Sequence, residues 1–250
     1  MRKEVNDVTY SIIGILASIL LVIINQDIII NQDRQTLTKT QRYYRWFLLG
    51  MLAYLITDLL WGVLYSNHLM VLLYADTSIH FIAMVGAVML WTQYVVSYLD
   101  NGSAFERMLQ IAGRAFFALE LVFVAVNFFK PVLFWFDENG VYQAGIARYI
   151  TLGIQIFMFL VTAVYTLFVA FRSRGRVRRR HLTIGFFGIA ISWFISAVCA
   201  DTIPAIAAFI ENRVLKPNVH DFCLRYNILL FHCYNLLKYY FTKTFLPFTI

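Results

Sequence analysis

The sequence is poor in charge and in proline. Charged residues make up 14% of its 250 residues and only 4 prolines are present, whereas soluble domains carry about 25% charged residues. Because 60% of the residues are hydrophobic, this composition excludes an ordinary soluble domain and indicates a protein that crosses a membrane several times. The length suits one compact bundle, predicted as a single domain over 1–250, and leaves no room for a second, soluble domain.

Cysteine and catalytic motifs are also scarce. The 3 cysteines form no CxxC pair, so the sequence predicts neither a disulfide framework nor a metal knuckle. HExxH, GxSxG and paired-aspartate patterns are absent, and we expect no enzyme activity, cofactor or metal. The net charge of +7 would suggest a nucleic-acid partner in a soluble protein. Here the basic residues flank apolar runs, which indicates contact with membrane lipid instead.

Apolar runs long enough to cross a membrane need about 20 residues. The sequence contains seven such segments, at 8–29, 45–66, 78–98, 108–130, 147–171, 182–207 and 222–242. They predict an all-α fold, a polytopic bundle of seven transmembrane helices, in a multi-pass protein of the plasma membrane.

Lysine and arginine placement predicts the orientation of the bundle. Most of the 21 Lys and Arg residues lie in the segments 31–46, 100–114, 172–181 and at the C-terminal end, which alternate with the other loops. Since cytoplasmic loops are enriched in these residues, the N-terminus is predicted outside and the C-terminus inside.

A hairpin signal separates the fourth and fifth segments. An aromatic stretch, Phe134 to Phe136, is followed by the turn residues Asp137, Glu138, Asn139 and Gly140. Asn-Gly after such a stretch is typical of a β-hairpin. The sequence therefore predicts an extracellular hairpin over 132–145, and the alternative is an ordinary polar loop with a tight turn.

Polar and aromatic side chains inside the predicted spans are candidates for a binding site, because buried polar groups in a membrane need partners. Most of the polar ones fall in the outer half of the bundle. The candidate ligand-binding residues are Asp58, Trp61, His80, Trp91, Tyr94, Glu120, Asn127, Arg148, Gln155, Trp193, Asp201 and His232. In the alternative interpretation, pairs such as Asp58–Arg148 and Asp201–His232 are structural contacts and the aromatic residues are interfacial anchors.

Three short stretches carry a resemblance. They are the hairpin from Phe134 to Gly145, the run Thr57-Asp58-Leu59-Leu60-Trp61-Gly62-Val63-Leu64, and Trp91-Thr92-Gln93-Tyr94. In these pieces and in layout the chain resembles the seven-helix sensory regions of bacterial signalling proteins. Such regions often precede a GGDEF (diguanylate cyclase) domain or feed a histidine kinase. No GGDEF or kinase motif lies within the 250 residues.

The resemblance implies a sensor that binds a small extracellular or membrane-borne ligand in an outer-half pocket and moves helices towards a cytoplasmic signalling domain, in cis or in trans. Dimers are common among receptors of this layout, so a homodimer stays open, although the sequence shows no dimer face. A small-solute transporter or channel is the main alternative, and a retinal photoreceptor or an intramembrane enzyme is less well matched. For a retinal protein, Lys238 lies too near the inner end.

Overall fold

The computed structural model describes residues 15–30, 37–138 and 140–200, except for the side chains of 187, 191 and 193–200, and this part is mostly helical. The elements are α1 (Ile15–Ile24), α2 (Gln26–Ile29), α3 (Lys39–Ser66), α4 (Met70–Leu99), α5 (Ala104–Asn127), β1 (Phe134–Phe136), β2 (Tyr142–Ala144), α6 (Ile146–Arg172) and α7 (Gly175–Ala200).

Four of the described helices, α3, α4, α5 and α6, are long and apolar enough to cross a membrane. The described part of α1 is a shorter apolar helix. The prediction of a mostly helical chain is therefore confirmed, these four helices are consistent with a membrane protein, and they correspond to the predicted spans at 45–66, 78–98, 108–130 and 147–171. Helix α7 covers the described part of 182–207. The span at 222–242 and the end of 182–207 lie outside the described residues.

Helices α3 and α5 begin earlier than predicted, and their caps explain why. Thr38 caps α3, and its hydroxyl accepts from the Gln41 N–H while the Gln41 side chain accepts from the Thr38 N–H. Ser103 and Glu106 form the same capping box at the start of α5. Because a capping box satisfies donors that are otherwise unpaired at a helix end, the first polar turns of these segments are helical rather than loop.

The two strands form an antiparallel hairpin between α5 and α6, in which Phe134 pairs with Ala144 and Phe136 with Tyr142. Asp137 closes the hairpin: its N–H donates to the Val141 carbonyl, and its Oδ1 accepts from the Val141 N–H at 2.8 Å. Gly140 follows in the left-handed region, at φ +73°, which glycine adopts without steric cost. The predicted hairpin over 132–145 is confirmed.

Gly145 lets the chain leave the hairpin close to where it entered. Its N–H donates to the Leu133 carbonyl at 2.7 Å, and a Cβ at this position would overlap the Val132 carbonyl group. The N–H of Ala147, in the first turn of α6, donates to that same Val132 carbonyl at 3.0 Å. The hairpin is therefore bonded directly to the start of α6.

The chain divides after Met158 into two compact units. In the second, α7 approaches the last turns of α6 through small residues. A Cβ added at Gly188 would lie 2.8 Å from the Cβ of Ala163 and 3.4 Å from its Cα. Close approach at small residues is a common way for membrane helices to pack.

Replacing Gly188 by alanine is expected to push α6 and α7 apart, because the methyl group of Ala163 is rigidly attached to its helix and cannot rotate away. We expect a loss of about 1–3 kcal/mol, as for other overpacked sites. Thermal unfolding in one detergent measures it. Gly153→Ala is the matched control, since a Cβ there meets nothing within 4 Å. Equal melting temperatures of the two variants would contradict the contact.

Candidate functional site

Two carboxylates lie together near the hairpin end of the helices. Asp58 on α3 and Asp76 on α4 are each 6% exposed, and their charges act on each other. His80 lies one turn beyond Asp76 on α4, and the charge of Arg148, in the first turn of α6, acts on His80. We call Thr57, Asp58, Asp76, His80 and Arg148 the carboxylate cluster. It draws its residues from α3, α4 and α6.

The contacts of Thr57 assign a tautomer to His80. The Thr57 hydroxyl donates to the Tyr54 carbonyl at 2.9 Å and lies 3.1 Å from His80 Nδ1. Because a hydroxyl has a single proton, Nδ1 carries the hydrogen and donates it to Thr57. The His80 ring also lies against the ring of Tyr54, with centroids 4.6 Å apart. These contacts leave Nε2 as the ring atom that can accept a proton or a hydrogen bond.

One carboxylate oxygen of Asp76 has no hydrogen-bond partner among the described residues. Its Oδ2 is buried and has no partner there. A buried oxygen of this kind is costly unless a donor reaches it. The missing partner is therefore a hydrogen-bond donor, and the neighbouring Asp58 carboxylate favours one with a positive charge.

Arg148 links this cluster to the hairpin. Its Nη1 donates to the Tyr142 hydroxyl at 3.2 Å, and its guanidinium lies 5.4 Å from the centre of the Tyr142 ring. Tyr142 belongs to β2 and stacks on Phe134 of β1. A change in the position of Arg148 would thus alter its contacts with Tyr142 on β2 and, through Tyr142, the packing against Phe134 on β1.

A second polar centre lies between α5 and α6. Glu120 is fully buried, and Thr151 donates to its Oε2 at 2.7 Å. Its Oε1 has no hydrogen-bond partner among the described residues. One turn along α6 from Thr151, Gln155 is 3% exposed and its Oε1 likewise lacks a partner there. We call Glu120, Thr151 and Gln155 the Glu120 site.

Asn127, at the end of α5, holds the hairpin in place. Its Oδ1 accepts from three consecutive backbone N–H groups, those of Val132, Leu133 and Phe134, at 2.8, 2.8 and 3.3 Å. Its Nδ2 donates to the Phe134 carbonyl and to the Tyr74 hydroxyl, which in turn donates to the Asn127 carbonyl. We call this arrangement the Asn127 clamp. Both ends of the amide are engaged within the protein.

The predicted aromatic residues separate into two groups. Trp61 stacks on Tyr65 near the hairpin end of α3, with ring centroids 5.1 Å apart. Trp91 and Tyr94 instead pack against Phe47 and Tyr44, in the first turns of α3, at the opposite end of the bundle. The structure therefore does not bring Trp91 and Tyr94 to the carboxylate cluster.

Three predicted site residues cannot be placed. Asp201 and His232 lie outside the described residues, and the side chain of Trp193 is outside the description as well. In the described part of the chain, no group of three or more His, Cys, Asp or Glu side chains is arranged to hold a metal ion.

The sequence prediction missed Asp76, Thr57 and Thr151 as members of these centres. Asp76 was outside the span predicted at 78–98, whereas α4 begins at Met70 and includes it. The available signal was its spacing, since Asp76 and His80 are four residues apart and share a helix face. The two threonines gave no signal, because threonine is common in membrane helices.

Comparison with known proteins gives no family. No protein-family model matches the chain, and no curated protein matches it.

Proposed function

We propose that the chain is the sensory module of a membrane signalling protein and that the carboxylate cluster binds its ligand. The observation that carries the proposal is the buried Asp76 Oδ2, which lacks a donor among the described residues and lies beside the Asp58 carboxylate. Burying a polar group without a hydrogen bond costs free energy, and polar groups of this kind inside membrane proteins commonly bind a ligand, an ion or a proton.

The ligand is a small molecule with a positively charged donor, such as a primary amine. The described cluster combines two carboxylates with one guanidinium, and its accepting oxygen at Asp76 is the group without a partner. An ammonium group would supply a charge-assisted hydrogen bond there. The adjacent ring of Tyr54, which lies against His80, adds an aromatic surface of the kind that favours cations.

Signal transmission follows from the position of the cluster. Its members come from α3, α4 and α6, and Arg148 also contacts Tyr142 in the hairpin. A ligand that neutralises the carboxylates changes the pull on Arg148, and with it the position of α6. In this proposal the hairpin faces outwards, seven helices span the plasma membrane, and the cytoplasmic ends drive an output domain such as a diguanylate cyclase.

The proposal predicts that putrescine, ethanolamine or agmatine raises the melting temperature of the purified protein in detergent, and that Asp76→Asn weakens the binding at least about tenfold. Loss of a charge-assisted hydrogen bond costs about 1.5–3 kcal/mol. Isothermal titration measures the affinity. 1,4-Butanediol, which has the length of putrescine without its charges, should have no effect.

Asp100→Asn is the control variant, because Asp100 is exposed in the loop after α4 and its left-handed backbone suits asparagine. It should bind as tightly as the parent protein. An amine that binds equally well to Asp76→Asn would place the site elsewhere. If none of the three amines shifts the melting temperature, the carboxylate cluster is not an amine site.

A further inference from the structure

The two buried glutamates of α5 have opposite surroundings. Glu106, 3% exposed, accepts from the backbone N–H groups of Asn101 and Ser103 at the N-terminus of the helix, where the helix dipole favours a negative charge. Glu120 lies within a span, and its hydrogen-bond donor among the described residues is the Thr151 hydroxyl. One neutral hydroxyl is weak compensation for a carboxylate in a low-dielectric interior.

The missing hydrogen bonds at the Glu120 site are complementary. Two buried oxygens, Glu120 Oε1 and Gln155 Oε1, lack donors within the described residues. Thr151, which bonds Glu120, and Gln155 are one turn apart and therefore share a face of α6. A proton on Glu120 Oε1 converts that oxygen from an acceptor into a donor, and Gln155 Oε1 is the acceptor that lacks one.

We propose that Glu120 is a buried proton-binding site, in which the carboxyl group is neutral, accepts from Thr151 through Oε2 and donates through Oε1 to Gln155. A single proton then satisfies both oxygens and binds α5 to α6 at this level. The site is separate from the carboxylate cluster and does not depend on the amine ligand.

Arg148 and His80 have contacts of their own. On α6, Arg148 lies one turn from Thr151 towards the hairpin and bonds Tyr142. On α4, His80 directs Nδ1 to Thr57. A metal cation is less well suited than a proton, because the site offers four side-chain oxygen atoms and a cation such as calcium takes six to eight oxygen ligands.

Infrared spectroscopy of the detergent-solubilised protein tests the proposal directly. At neutral pH the protein should show the carbonyl band of a protonated carboxyl group, shifted on exchange into D₂O and lost in Glu120→Gln. Glu106→Gln, the same substitution in the same helix, should keep the band. Absence of the band from the parent protein, or its persistence in Glu120→Gln, would overturn the proposal; an ionised Glu120 bridged by water gives the former result.

Two further variants separate proton binding from mere packing. In Glu120→Gln the new amide can donate to Gln155 as the protonated acid does, so the melting temperature should stay near that of the parent, while Glu120→Ala lowers it. Gln155→Leu should retain the band but shift its frequency, because the O–H loses its acceptor. A band unchanged by Gln155→Leu, or a Glu120→Gln protein no more stable than Glu120→Ala, would contradict the shared proton.

Discussion

Asn127→Ala is expected to release the hairpin from the helices and lower the free energy of unfolding by about 3–5 kcal/mol. The variant removes the acceptor of three backbone N–H groups, in the segment Val132 to Phe134, and the donor to the Phe134 carbonyl. Each buried group left without a partner costs about 1–3 kcal/mol, although part of this loss is recovered where water enters. Denaturant unfolding in detergent measures the change.

Limited proteolysis locates the effect in the molecule. If the clamp is what holds the hairpin, cleavage between 132 and 145 should be much faster in Asn127→Ala than in the parent protein. A variant as stable and as resistant as the parent would show that the hairpin is held by its aromatic contacts alone.

Asn127→Asp distinguishes the contribution of the amide oxygen from that of the amide nitrogen. Aspartate keeps an oxygen for the three N–H groups, and it loses the donor to Phe134 and Tyr74. We expect a smaller loss, about 1–2 kcal/mol. Tyr74→Phe, which removes the hydroxyl at the other side of the clamp, should cost about 1 kcal/mol.

The hairpin shows what local sequence can and cannot predict. Its existence followed from aromatic residues beside Asn-Gly, because turn residues act on their immediate neighbours. The Asn127 clamp did not follow, since an asparagine at a helix end has many partners open to it and only the path of the chain after Pro131 brings three N–H groups to one oxygen. Likewise, glycine is required at position 145 because the Val132 carbonyl, thirteen residues earlier in the chain, leaves no space for a Cβ.

The candidate site could be predicted only in part, because contacts between helices depend on where each helix begins and not on local sequence alone. Asp58 and His80 are both predicted in the outer half of the bundle, and the structure connects them through Thr57 and Asp76 in one cluster. Trp91 lies further from the hairpin end than a helix beginning at 78 predicts, because α4 starts at Met70 and the additional residues add about 12 Å of helix. The same error removed Asp76 from the predicted span. Depth in a bundle depends on where a helix begins, and α4 begins within an apolar stretch with no side-chain cap to mark its start, so composition alone locates that point poorly.

Phe134 is expected to contribute as much to the hairpin as the Asn127 clamp does. It is fully buried, and its ring stacks on Phe81 of α4 and on Tyr142 of β2, with centroids 5.8 and 6.0 Å apart. The Tyr74 ring lies 5.0 Å away. Phe134→Ala would leave a cavity at the junction of hairpin and bundle, and comparable truncations cost about 3–5 kcal/mol.

Phe129→Ala is the matched control for this prediction. Phe129 lies five residues earlier and is 92% exposed, so the same truncation there should change the free energy of unfolding by less than about 0.5 kcal/mol. Equal losses in the two variants would mean that Phe134 is not the anchor of the hairpin. Because Tyr142 also bonds Arg148, Phe134→Ala should in addition weaken amine binding at the carboxylate cluster, whereas Phe129→Ala should leave it unchanged. A loss of stability with unaltered binding would separate the anchor from the proposed ligand site.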